Sequence, residues 1–225
     1  LYDTLCRIPL LVWHPQGTGH RAQGTGRRHE GTGQSGRRVS AITQTVDLYA
    51  TVLDLLGVAA PDGPQLHSRS FAPLLRGEGE THRESALYAY NNRRVGVTDG
   101  EWTLLRFHDA TAAPAAIYTH NLQQGLGFGM NQRRSRPLSV PKIEAGQFIP
   151  GLELPVWRVP LPVDYAAQRP PPNDDLLFHT AADPAQLHDL AAARRDQLRR
   201  MEELLRERAL ASNAPAEQLR RLRVS

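Results

Sequence analysis

Asp47 and Asp54, seven residues apart, are the pair whose type and spacing most readily suggest chemistry. On a helix a seven-residue step returns to the same face, so two carboxylates there could grip a divalent cation. The simpler reading makes one of them a partner of the helix dipole and the other a solvated residue, and it is the reading adopted here. Cys6 is the one cysteine, which excludes an intrachain disulfide and a cysteine-based zinc site. It reads as a small apolar residue rather than a nucleophile. Residues 16–38 repeat Gly-Thr-Gly every seven residues, at Gly17, Gly24 and Gly31, with Arg21, Arg27 and Arg28 between. A glycine-rich loop with arginines can cradle a phosphate, but no phosphate-loop or dinucleotide fingerprint is present. The stretch reads as a solvated insertion.

The elements that would position these residues follow from periodicity. Residues 7–14, RIPLLVWH, form a continuous apolar run of the kind buried on both faces of a parallel sheet. A helix begins near Thr43 or Thr45 as cap, turns Val46, Tyr49, Ala50, Leu53 and Leu56 to one apolar face, and stops at Gly57. A short apolar segment ends at Arg76-Gly77. Residues 86–90 read as a strand, and 93–98 with 101–107 as a hairpin across Asp99-Gly100. Residues 108–173 are proline-rich and aperiodic, and read as a long loop packed through Tyr118, Phe128, Phe148, Trp157 and Tyr165. Asp175–His179 reads as a strand. Asp183-Pro184 then opens a long helix with Leu187, Leu190, Ala191, Leu198, Met201 and Leu205 as its stripe, followed by a fraying tail after Ser212.

At 225 residues the chain can bury a sizeable core, and 40% hydrophobic content fits a folded protein. The run at 8–13 is too short to span a bilayer, so no membrane partner is expected. The formal charge is +4 but the arginines are spread along the chain, and no nucleic-acid partner is expected either. A single cysteine leans toward a reducing, cytoplasmic setting. The chain starts at Leu1 and reads as a piece of something longer, with any signal upstream.

Three stretches, in order, resemble the C-terminal part of the sulfatases of the alkaline phosphatase superfamily. Residues 1–15, LYDTLCRIPLLVWHP, are similar to a run in which a tyrosine–acid pair leads into an R-[VI]-P-L-I strand. Residues 45–58, TVDLYATVLDLLGV, with 68–77, SRSFAPLLRG, resemble the family's V-D-[LI]-x-P-T-[LI]-L-[DE]-x-x-G helix and G-x-S-L-x-P-L-L segment. Ala50 stands where that pattern has proline and Ser68 where it has glycine. Residues 92–106 resemble its antiparallel hairpin, and 177–191 its closing L-[YF]-D-L-x-x-D-P segment, with His179 in place of an acid.

The resemblance implies an α/β protein. Residues 1–85 would end an alkaline-phosphatase-like α/β domain, and 86–211 would form a small α+β subdomain of antiparallel sheet and C-terminal helix, with 212–225 as tail. It implies hydrolysis of small sulfate esters by a formylglycine made from a C/S-x-P-x-R motif, with calcium or another divalent cation held by acidic residues. Those motifs lie upstream of the residues matching Leu1, and CRIPL at 6–10 does not match them. No residue of this chain is therefore expected to be catalytic or to bind the metal, and the chain alone is expected to be inactive. What it would offer is pocket wall: His108, Tyr118 and His120, with Asn91, Asn92 and Arg93. A phosphonate or phosphodiester hydrolase of the same superfamily fits the same residues. A non-enzymatic module holding an acidic partner through the 17–38 loop and the basic helix is the alternative outside catalysis.

Overall fold

The computed structural model describes residues 6–13, 37–59, 67–90, 94–109, 116–121, 144–148, 155–160 and 175–224. They combine helices with antiparallel sheet and divide into two compact units, one spanning Arg7–Asp62 with Leu66–Ala86, the other chiefly Leu87–Ser225. The 17–35 part of the Gly-Thr-Gly loop, Asn91, Asn92 and Arg93, and Phe128 and Tyr165 lie outside the described residues.

In the first unit, helix α1 covers Asp47–Leu55 and α2 covers Ala72–Arg76. Both stop in the same way. Gly57 (φ 65°) and Gly77 (φ 76°) are left-handed, a conformation cheap only for glycine. Val58 N–H returns to the Leu53 carbonyl at 2.9 Å and Glu78 N–H to the Pro73 carbonyl at 2.9 Å, closing the last turns. The start of α1 differs from expectation. Neither Thr43 nor Thr45 caps it; Val46 holds the cap position without a side-chain bond. Asp47 instead turns back, its Oδ2 accepting the Gln44 N–H at 2.9 Å.

The expected apolar face of α1 is also corrected. The buried residues are Asp47 and Thr51, whereas Val46, Tyr49 and Leu56 are exposed, Leu56 at 70%. Polar bonds, not apolar burial, fix this side of the helix. The run at 7–13 is not a strand, and Leu11 and Trp13 are 92% and 83% exposed. A continuous apolar run becomes a buried strand only where neighbouring strands complete its ladder. Among the described residues of this unit, an isolated bridge joins Ile42 to Arg83.

The second unit carries a four-stranded sheet, β1 (Ala86–Tyr90), β2 (Arg94–Thr98), β3 (Trp102–Phe107) and β7 (Leu176–His179), in the order β1-β2-β3-β7. β2, β3 and β7 are antiparallel, with Val97 opposite Leu104 and Leu104 opposite Leu177. These three side chains share one face, against which helix α3 (Arg195–Ala211) packs Leu198, Met201 and Leu205. The other face also buries its side chains, Leu105, Phe107 and Phe178 among them. Here a Cβ on Gly96 would overlap the Tyr88 ring, so the glycine is the seat of that ring. The hairpin forms as expected, but its tip is Gly100-Glu101 rather than Asp99-Gly100. Asp99 N–H bonds the Trp102 carbonyl at 3.2 Å, and Gly100 takes φ 92° as the first central residue of a II′-type turn requires.

Three further corrections concern the second half. Residues 108–173 are not one long loop. β4 (Ala116–Thr119), β5 (Glu144–Gly146) and β6 (Val156–Pro160) form a three-stranded antiparallel sheet ordered β4-β6-β5. No long helix starts at Asp183. Gln186 is left-handed (φ 53°), Leu187 is 75% exposed, and the Asp183 carboxylate accepts the Leu187 and His188 N–H groups at 2.8 and 2.9 Å in a turn. The helix waits until Arg195, because Asp189 Oδ1 first takes the Leu177 N–H at 3.0 Å and Leu190 N–H takes the Leu177 carbonyl at 2.8 Å, covering the β7 edge. Nor does the tail fray. Helix α4 (Ala216–Leu222) follows Ser212, and Leu222 and Val224 enter the core.

Candidate functional site

Among the described residues each unit holds a polar cluster that joins carboxylates to partners distant in sequence. In the first unit it is built around Asp47, which has no solvent exposure. Arg83 grips both carboxylate oxygens, Nε to Oδ2 at 2.7 Å and Nη2 to Oδ1. The Arg69 N–H donates to Oδ1 at 2.9 Å, and His82 Nε2 lies 3.2 Å from Oδ2. Burial pushes the Asp47 carboxyl up, but the Arg83 bond and the Arg69 and Gln44 N–H groups outweigh it and hold it at about 2. An aspartate with both oxygens spent on a guanidinium and backbone donors has none left for a cation. Asp54 is engaged as well, accepting from Ser70 Oγ at 2.6 Å and Arg76 Nη1 at 3.3 Å. Among the described residues no group of three or more His, Cys, Asp or Glu could hold a metal ion.

Ala50 and Ser68 meet in the same unit. Ser68 Oγ accepts the Ala50 N–H at 2.9 Å. Proline at 50 would have no N–H to give, and glycine at 68 would have no oxygen to accept it. Thr51 Oγ1 accepts the Phe71 N–H at 3.0 Å beside them, so α1 is tied to 68–71 along its buried side.

In the second unit the cluster forms on the small sheet. Register places Tyr118, Arg158 and Glu144 in one cross-strand row. Glu217 of α4 closes it, accepting Tyr118 Oη–H at 2.8 Å and Arg158 Nη2 at 2.9 Å. Arg158 Nη1 lies 3.8 Å from Glu144. Burial and the Glu217 carboxylate raise the Tyr118 phenol above its ordinary value, and the Glu217 bond raises the Arg158 guanidinium. The phenol is thus a neutral donor and the guanidinium a fixed cation, the pair that would hold an anionic or hydroxyl-rich ligand. In this structure both donate to Glu217, and the Tyr118 ring meets Phe148 edge-on with centroids 5.5 Å apart.

His120 is exposed, one residue beyond β4, on a turn where Thr119 Oγ1 accepts the Asn121 N–H at 2.9 Å. His108 is only 5% exposed and follows β3 into the interior, next to Asp109, whose N–H bonds the Arg221 carbonyl at 2.7 Å. Tyr118 and His120 therefore share one strand end, and His108 is buried. Sequence reasoning missed Arg158 and Glu217. The alternation in VWRVP at 156–160 could have marked a strand and put Arg158 on the face opposite Trp157. Glu217 carried no signal, because its role depends on where α4 docks.

No family model matches this chain, and no curated protein matches it. Among solved structures it is similar to a Bacteroides thetaiotaomicron protein labelled BT33336S-sulf, a sulfatase described with a core genetic locus for metabolism of multiple glycosaminoglycans. The identity is 17% and the TM-score 0.41, over 74% of this chain. The chain spans 25% of the length of that structure.

Proposed function

We propose that this chain is the C-terminal portion of a sulfatase-like hydrolase of sulfate esters. The nucleophile and the divalent cation belong, on this reading, to residues outside these 225. The observation that supports it is the order of elements along the matching stretches. A helix with a left-handed glycine stop is followed by a proline-led short helix with a second such stop. A hairpin, a strand and a helix laid on the sheet then come in turn. The helix at 47–55, the hairpin at 94–107 and the strand at 176–179 lie within the stretches that resemble the family, whereas residues 7–13 of the first stretch form no strand.

Within this reading the chain's residues act by position. Asp47 and Arg83 fasten α1 to the segment after α2, and Glu217 orients the strand end that carries Tyr118 and His120. His120 is the side chain free to meet a substrate, as a hydrogen-bond donor or acceptor to a sugar hydroxyl or sulfate oxygen. The metal would supply charge stabilisation at the sulfuryl oxygens. Asp47 and Asp54 do not fit as its ligands, and no step is assigned to it here.

The test is turnover of an aryl sulfate, an aryl phosphonate and a phosphodiester by this chain and by a longer protein that includes its upstream coding sequence, each with added calcium. The expected result is no turnover by residues 1–225 and preference for the sulfate ester by the longer protein. Preference for the phosphonate or the diester would reassign the substrate class. Metal-dependent turnover by residues 1–225 would overturn the placing of the active site.

A further inference from the structure

The turn that leaves β7 is held by a histidine ring whose two nitrogens do opposite jobs. His179 ends β7, opposite Trp102 of β3. The Ala182 N–H points at His179 Nδ1 at 3.1 Å, so Nδ1 must carry a lone pair. Nε2 lies 3.1 Å from Glu101 Oε1, a carboxylate that can only accept, so the proton sits on Nε2. The Trp102 ring stands perpendicular to the imidazole, with centroids 4.5 Å apart at 88°, and fixes its plane. The geometry therefore selects one neutral tautomer out of three protonation states.

We infer that His179 is a pH-responsive latch, closing the 180–183 turn when neutral and releasing it when protonated. A second proton on Nδ1 would face the Ala182 N–H, two donors at 3.1 Å with no acceptor between them. The ring can escape only by rotating, which takes Nε2 off Glu101 and the ring off Trp102, or by letting the turn open. The Ala182 N–H is shared between Nδ1 and the His179 carbonyl, so loss of Nδ1 weakens its protection, while Thr180 Oγ1, bonded to Thr103 Oγ1 at 2.9 Å, anchors the start of the turn. Ala182 and Asp183 N–H groups reach the His179 carbonyl at 3.1 and 2.8 Å, and Ala181 N–H reaches the Glu101 carbonyl at 3.3 Å.

The charged groups around the latch are few. Glu101 faces Nε2 from the hairpin tip and attracts the protonated ring, but its side chain is 65% exposed, so this attraction is screened. Asp99 on the same tip is neutralised by Arg200 of α3 at 2.8 Å. Asp183, beyond the turn, is taken up by the Leu187 and His188 N–H groups and lies 3.4 Å from His188 Nδ1. None of these supplies an acceptor for a proton on Nδ1.

Imidazole nitrogen shifts and amide exchange in the uniformly labelled chain test this directly. At a higher pH, where the ring nitrogen shifts report a neutral imidazole, His179 should show the Nε2–H tautomer and the Ala182 amide should be protected. At a lower pH, where the ring nitrogen shifts report the imidazolium, the Ala182 protection factor, corrected for intrinsic exchange, should fall roughly tenfold while that of Leu177 holds. His179→Asp, which keeps an acceptor at both pH values, should retain protection at both, and His179→Ala should lose it at both. An Nδ1–H tautomer at the higher pH, or equal Ala182 protection at the two pH values in the unsubstituted chain, would overturn the inference whatever the variants do.

Discussion

Asp47 is a fully buried charge whose removal should be costly. It sits with no solvent exposure between Arg83, His82 and two backbone donors. Asp47→Asn would leave the Arg83 guanidinium, itself 11% exposed, without its counter-charge. Breaking a buried pair by removing one partner typically costs about 3–5 kcal/mol, so denaturant unfolding should show a loss of that order. The pH dependence has a fixed sign. The carboxyl is held at about 2 against 3.8 ordinarily, so its contribution, about 2 kcal/mol, is complete above 3.8 and lost as pH falls through 2. The unsubstituted chain should lose more stability than the variant across that window.

The Ala50–Ser68 bond makes a second residue-scale prediction. Ser68→Gly should cost about 1 kcal/mol in the native background. In an Ala50→Pro background the same change should cost much less, because the N–H it served is gone. Urea unfolding of the four members of the cycle should give a coupling of about 1 kcal/mol. Additive effects would mean the two positions do not act together. None of this was legible beforehand. A carboxylate in a first turn looks like a dipole partner in any sequence, and only the fold brings Arg83 to it from thirty-six residues away.

At the scale of elements, what was legible is what is local. The glycine stops at Gly57 and Gly77, the hairpin at 94–107 and strand 176–179 depend on neighbours in sequence, and all were readable. Elements decided by distant partners were not. The apolar run at 7–13 looked like a buried strand because composition does not reveal whether a ladder is present to receive it. The helix expected at Asp183 was delayed because Asp183 spends its carboxylate on a turn. Helix α4 was missed because AEQLRRL is too short and charged to announce itself, yet Leu219, Leu222 and Val224 complete the core and Glu217 clamps the small sheet. Ending the chain at Ser212 should therefore destabilise the second unit by about 4 kcal/mol or more, from lost apolar burial alone. Loss of cooperative unfolding, followed by far-UV circular dichroism, is the expected outcome. At the clamp, Tyr118→Phe keeps the ring against Phe148 and removes only the bond to Glu217, and should cost about 1–2 kcal/mol.

At the scale of the whole molecule the two polar clusters act as joints, each within its own unit. Glu217 occupies the donors of Tyr118 and Arg158, Arg83 occupies Asp47, and Arg76 with Ser70 occupies Asp54. Around the core a further network joins Arg106 to Glu202 at 2.5 Å and to Asp175 at 3.3 Å, with Arg223 bonded to Asp175 at 3.1 Å. It ties sheet, long helix and C-terminus into one body. Burial pushes the Asp175 carboxyl up, which Arg106 and the Phe107 N–H oppose. The basic face of α3 is interleaved with acids, Arg199 with Asp196 and Arg206 with Glu203, which leaves less of its charge for an acidic partner. On the proposed reading the catalytic residues lie upstream of Leu1. The measurement that tests this most directly is the coding sequence upstream of Leu1. The account predicts an in-frame C/S-x-P-x-R motif preceded by acidic residues for a divalent cation; a start codon immediately before Leu1 would contradict it.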